Sequence, residues 1–109
     1  MRVDTKARAI PKAVKIRVAE RDSIDGWPCC VYCGRPSPDG GIEWSNAHFI
    51  SRAQGGLGIE ENVLTLDPDC HRRFDQEIRD EMRGYLREYL MDHYPGWKEE
   101  NLYYHKGGT

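Results

Sequence analysis

WSNAHFISRAQGGLGIEENVLTLDPDCHRRFD, residues 44–75, is the stretch that decides how this chain folds and what chemistry it carries. Aromatic and β-branched residues mark a strand over Ile42–Ile50, with His48 near its end. Ser51–Gly58 is a Gly-rich connection. Asn62–Leu66 is a second short strand, carrying Val63, Leu64 and Leu66. Asp67-Pro68 then starts a helix, an N-cap carboxylate followed by proline at the first helical position. That helix carries Cys70, His71 and Asp75, so the local order is strand, strand, helix.

Upstream, Cys29–Gly34 reads as a metal knuckle. Cys30 and Cys33 are spaced so that a tight turn ending at Gly34 places both sulfurs about 2.3 Å from one zinc ion. A structural zinc takes four ligands. Cys70 supplies a third thiolate, and Asp67 stands three residues before it, where a second Cys-x-x-Cys would have its first thiolate. The fourth ligand is Asp67 or Cys29; Asp67 also has the simpler role of capping the helix. Zinc binding contributes about 10–16 kcal/mol of apparent folding free energy in small domains, which matters to a chain with a thin apolar supply.

Further out, Pro11 opens a helix in which Ile10, Ala13, Val14, Arg17 and Val18 follow helical spacing, stopping near Asp22–Gly26. Residues 1–9 are a basic arm, and Arg35–Gly41 is a loop. A longer helix is expected over Gln76–His93, with Ile78, Met82, Tyr85, Leu86, Tyr89 and Leu90 on its apolar side and Pro95-Gly96 ending it. Trp97–Tyr104 folds back as a short closing element. Trp44, Trp97, Tyr85, Tyr89, Tyr103 and Tyr104 are read as packing residues.

His71 and Asp75 are spaced i, i+4, so they share a helix face and can hold one divalent ion. Cys70 lies about 100° around the helix and points to a different site. His48 lies beside the Gly-rich loop, and the unperturbed histidine pKa of about 6.5 makes that residue type suited to act as a general base near neutrality. Asn62 can hold a neighbouring loop or orient an imidazole. Arg52, Arg72 and Arg73 are candidates for phosphate contact. Taken singly, each of these residues has a plainer reading: a satisfied histidine, a turn asparagine, solvated arginines.

With 109 residues, 39% hydrophobic and 31% charged, the chain is expected to form one domain (1–109). Its core motif spans about 29–75, with a basic arm and helix over 1–21 and a helical region over 76–109. No signal-peptide pattern or membrane-length apolar run stands out, and the four cysteines at 29, 30, 33 and 70 do not form a disulfide framework. The expected compartment is the cytoplasm, with no membrane partner. Net charge is −2, unevenly spread: residues 1–21 hold seven Lys or Arg against two acids, and residues 22–75 hold four against nine. The basic lead suits phosphate contact; the acidic middle suits metal sites.

The combination Cys30-Val31-Tyr32-Cys33-Gly34, Asn46-Ala47-His48-Phe49-Ile50-Ser51-Arg52, Gly55-Gly56, Glu61-Asn62-Val63-Leu64-Thr65-Leu66 and Cys70-His71 resembles the HNH endonuclease family and its ββα-metal motif. Phe74-Asp75-Gln76 and Tyr94-Pro95-Gly96-Trp97 are similar to small phage- and prophage-type members. The resemblance implies an α+β fold, with a ββα-metal core, a zinc knuckle and flanking N- and C-terminal helices. It implies a hydrolase that cuts DNA phosphodiester bonds, with His48 as general base, Asn62 orienting the loop and His48, and His71 with Asp75 holding Mg²⁺ or Mn²⁺. Cys30, Cys33, Cys70 and Asp67 would hold structural Zn²⁺. It also implies a setting in phage DNA processing, with a terminase or another DNA-processing protein as partner. The chain departs from the family at Ala47, where many members carry an Asp or His metal ligand, and at Asp67, which interrupts the second Cys-x-x-Cys. The rival reading is a zinc-stabilised nucleic-acid-binding module without cleavage. A redox role for Cys30-x-x-Cys33 lacks the expected βαβ surroundings.

Overall fold

Helix α1, Lys12–Arg21, is the first element among the described residues. The structure is a computed structural model that describes residues 9–40, 44 and 46–104. Most of the basic arm therefore lies outside the described residues, as do positions 42, 43 and 45 of the first expected strand. Pro11 is the N-cap of α1, at φ −63° and ψ 153°, rather than its first helical residue. Val14 and Val18, four apart, are the buried stripe of α1 and pack on Val63, with Ile10 beside them.

The chain does not simply stop after α1. Strands β1 (Ser23–Ile24) and β2 (Trp27–Pro28) form a small antiparallel hairpin. Asp25 and Gly26 make its turn at φ 53° and 82°, the double positive φ that a tight two-residue hairpin turn needs. The knuckle follows. Gly34 is at φ 83°, its N–H donates to the Cys30 carbonyl (2.9 Å), and the Val31 N–H donates to Thr65 (2.9 Å), fastening the knuckle to the second sheet.

That sheet pairs β3 (Asn46–His48) with β4 (Val63–Thr65), antiparallel, with Asn46 opposite Thr65, Ala47 opposite Leu64 and His48 opposite Val63. Alternation along a strand sends neighbours to opposite faces. Ala47 and Leu64 enter the main core with Phe49, Phe74, Met82, Leu86 and Leu90. Val63, the partner of His48, is on the face that α1 covers.

Helix α2, Pro68–Gln76, begins as the Asp67-Pro68 pair leads one to expect, with the Asp67 side chain accepting from the Cys70 N–H. The expected second helix starts three residues later than Gln76: the chain turns at Glu77 and Ile78, and α3 runs over Arg79–His93. Met82, Leu86 and Leu90 form its buried stripe, while Tyr85 is half exposed at 51% and is not a core residue. A 3-10 turn at Glu99–Leu102 buries Leu102, and the closing segment is tied back where Leu57 N–H meets the Leu102 carbonyl and Tyr104 N–H meets Gly55, both at 2.8 Å.

Arg21 and Asp22 join these layers. The Arg21 guanidinium donates to the backbone carbonyls of Glu60 (2.8 Å) and Val63 (2.7 Å) and to Asp22. Asp22 accepts from the Thr65 N–H (3.0 Å) and the Tyr89 hydroxyl (2.6 Å). A buried ion pair survives only when its remaining donors and acceptors are also satisfied, and here they are filled by the turn at Glu60, β4 and α3. The result is a small compact α+β protein with two small antiparallel sheets. No helix among the described residues is long and apolar enough to cross a membrane.

Candidate metal centre and candidate active site

Sγ of Cys30, Cys33 and Cys70 and a carboxylate oxygen of Asp67 all lie within 4.8 Å of one another. Sulfurs bound at 2.3 Å around a tetrahedral zinc ion stand about 3.8 Å apart, so this donor set fits a metal such as zinc. It is the one group of three or more such residues among the described residues. The knuckle delivers Cys30 and Cys33, and the first turn of α2 delivers Cys70. Asp67 does two jobs: Oδ1 accepts from the Cys70 N–H at 2.8 Å as the helix cap, while Oδ2 accepts from the Cys33 thiol at 2.8 Å within the cluster. Cys29 stays out, its thiol donating to the Trp27 carbonyl at 3.2 Å.

The electrostatics of the metal-free cluster follow from this packing. Desolvation pushes the Cys33 thiol up to about 11, and its hydrogen bond to Asp67 adds to the effect. Desolvation also raises Cys70, with the neighbouring Cys30 reinforcing it. For Asp67, burial opposes ionisation, but hydrogen bonds from Cys33 and the Cys70 amide outweigh it and hold the carboxyl below its ordinary range. Thiols kept protonated until a metal displaces their protons make metal uptake pH-dependent.

On another flank of α2 lies a cleft of about 570 Å³, lined by Ala9, Ile10, Lys15, Asn46, His48, Ser51, Arg52, His71 and Asp75. The structure thus brings His48, His71, Asp75 and Arg52 to one surface. Nε2 of His71 is 3.3 Å from Oδ2 of Asp75. Adjacent donor atoms on an octahedral ion with 2.1 Å bonds are about 3 Å apart, so the pair suits one small divalent ion. Arg79 braces this site from outside the cleft: it is 3.9 Å from Asp75 Oδ1, lies over the Phe74 ring at 4.4 Å, and donates to the Phe49 carbonyl at 3.1 Å.

Asn62 does not line this cleft. It closes the 3-10 turn Glu60–Asn62, just before β4 rather than within it, and is fully buried. Its Oδ1 accepts from the Ile50 N–H (2.8 Å), and its Nδ2 donates to the carbonyls of Ile50 (3.1 Å) and Leu57 (2.8 Å). The side chain is spent on holding the loop that follows His48. Arg72 and Arg73 are exposed and do not line the cleft, and Arg72 pairs with Glu77.

Three polar lining residues escaped the sequence reading as site residues. Asn46 sits two positions before His48 and so shares its face of β3, a period-2 signal that was present but overshadowed by Ala47. Ala47 itself is fully buried against the core. Ser51 comes three residues after the end of β3, with its side chain capping the turn Arg52–Gln54. Lys15 arrives only through the packing of α1. No protein-family model and no curated protein matches this chain, so its likeness to a family rests on the motif residues alone.

Proposed function

We propose that this protein is a metal-dependent endonuclease of the HNH type that hydrolyses DNA phosphodiester bonds. The observation that carries the reading is the convergence of His48, His71, Asp75 and Arg52 on one open cleft, beside a separate Cys₃Asp cluster. The strand–strand–helix order of β3, β4 and α2 supports it as well.

In this reading His48 takes a proton from water, and the resulting hydroxide attacks phosphorus. The bond from phosphorus to the 3′ oxygen breaks, that oxygen takes up a proton, and the ends are a 5′-phosphate and a 3′-hydroxyl. Arg52 pairs with a phosphate oxygen and orients the strand. Asn62 keeps the Ile50–Leu57 loop, and with it His48, in place. Mg²⁺ or Mn²⁺ held by His71 and Asp75 would supply charge stabilisation on the phosphate and the leaving oxygen. Zn²⁺ on Cys30, Cys33, Asp67 and Cys70 would hold the knuckle to α2, a structural role remote from the reaction. A phage terminase or another DNA-processing protein is the partner that the family likeness suggests.

The burial of Ala47 favours a second reading, a zinc-stabilised DNA-binding module, because the ion site then lacks a ligand that many family members have. A labelled DNA duplex separates the two. Strand scission that requires Mg²⁺ or Mn²⁺ and is lost in His71→Ala supports the nuclease. Retarded but intact DNA at every metal concentration supports the binding module.

A further inference from the structure

We propose that Lys15 is a substrate-binding residue, and that α1 forms the second wall of a groove holding a DNA strand by the phosphate next to the one at His48. This rests on the nuclease reading for the identity of the strand, but its own argument is geometric. His48 is opposite Val63 in the sheet, and Val63 is the residue on which Val14 and Val18 of α1 pack. The face that presents His48 is therefore the face that α1 covers. Lys15 follows Val14 by one residue, about 100° around the helix, so it flanks the buried stripe and lines the cleft with His48 and Arg52.

The wall is built close. A Cβ on Gly58 would lie 1.9 Å from the Ala9 carbonyl oxygen and 3.0 Å from the Ile10 nitrogen. Only glycine lets the chain entering α1 lie directly on the loop, and Ala9 and Ile10 are themselves cleft residues. No hydrogen bond or ion pair joins the Lys15 side chain to another described residue. Among the described residues the lining holds two permanent cations, Lys15 and Arg52, against one carboxylate, Asp75, in a chain whose net charge is −2. Positive charge gathers where His48 is, which fits an anionic strand long enough to cross from Arg52 to Lys15. A lysine at such a point acts as a mobile charge on a phosphate and carries no base preference.

The test is binding, read apart from cleavage. The full zinc-loaded chain is titrated into a fluorescein-labelled DNA duplex without added Mg²⁺ or Mn²⁺, and anisotropy is followed across a salt series. Lys15→Ala is expected to weaken binding about tenfold near 0.1 M salt and to lower the salt slope by about one. Lys15→Arg is expected to keep the wild-type slope. Lys12→Ala, on the same helix but outside the cleft, is expected to bind as wild type. An unchanged slope in Lys15→Ala, an equal loss in Lys12→Ala, or no binding by the wild-type chain overturns the proposal. A chain whose binding depends on Lys15 but which never cuts DNA retains this inference and loses the nuclease reading. A chain that cuts DNA yet binds it independently of Lys15 does the reverse.

Discussion

Asn62 and Ile50 exchange a reciprocal pair of hydrogen bonds, Ile50 N–H to Oδ1 at 2.8 Å and Nδ2 to the Ile50 carbonyl at 3.1 Å. A third bond from Nδ2 reaches the Leu57 carbonyl at 2.8 Å. One amide side chain thus closes the loop that follows His48. Asn62→Ala leaves three backbone groups without that partner, at a side chain that is fully buried. The expected cost is about 2–4 kcal/mol, read as a lowered urea midpoint. Cleavage should fall as well, even under conditions where the variant is fully folded. Unchanged stability would mean that the clamp does not matter.

The division of labour at Asp67 can be isolated. Asp67→Asn keeps a carbonyl oxygen to cap α2 but removes the charged group from the cysteine cluster. Zinc affinity, measured by competition with a chromophoric chelator, should drop at least tenfold while helix content holds. Cys29→Ser should bind zinc as the wild type does, because the Cys29 thiol is engaged with Trp27. Affinity lost in Cys29→Ser and kept in Asp67→Asn would reverse the assignment of the fourth ligand.

Ala47 stands where many HNH members carry a metal ligand, and restoring an acid there is not expected to improve this protein. Its side chain is fully buried opposite Leu64. A carboxylate at that point would enter the apolar cluster of Leu64, Phe49 and Phe74, and an uncompensated buried charge costs about 3–5 kcal/mol. Ala47→Asp should therefore lower the thermal midpoint without raising metal affinity at the cleft. Tighter Mn²⁺ binding in a folded Ala47→Asp would show that the strand can present position 47 to the cleft.

Glu60 sets an acid-side dependence of stability. Burial works against its charge, but hydrogen bonds from Arg17 and Tyr94 outweigh that and hold its pKa below the ordinary 4.5. A depressed folded pKa means stability that is present above the unfolded value and lost as pH falls through the folded one. Between pH 7 and about 5 this carboxylate should contribute a constant amount, and the loss should begin below its ordinary pKa. Glu60→Gln should show a shallower decline in unfolding free energy below about pH 4.5 than the wild type. Parallel curves would assign the acid limb to other carboxylates.

Much of this arrangement was legible in the sequence because short-range chemistry governs it. Asp67-Pro68 specified the start of α2, and i, i+4 spacing placed His71 beside Asp75 with Cys70 turned elsewhere. The Cys30–Cys33 spacing pointed to the cluster. Other features depended on tertiary packing. Asp25-Gly26 is a hairpin signal, but strands of two residues gave it no flanking pattern. The two helices were expected to meet near Gln76, but no glycine or proline places their boundary at Glu77 and Ile78. Tyr85 fits the apolar spacing of α3, yet the knuckle meets it through the edge of Tyr32, with ring centroids 5.4 Å apart, and leaves it half exposed. Lys15 was one charge among seven in its segment until the packing of Val14 on Val63 showed which wall it belongs to.

The most direct test of the central claim is conversion of supercoiled plasmid to nicked or linear DNA, with wild type and His48→Ala compared in Mg²⁺, Mn²⁺ or EDTA. The expected result is metal-dependent cutting by the wild type, abolished in His48→Ala, with nicks that DNA ligase seals directly because they carry 5′-phosphate and 3′-hydroxyl ends. Folded, zinc-loaded wild type that leaves the plasmid intact with either ion, or equal cutting by His48→Ala, would contradict the account.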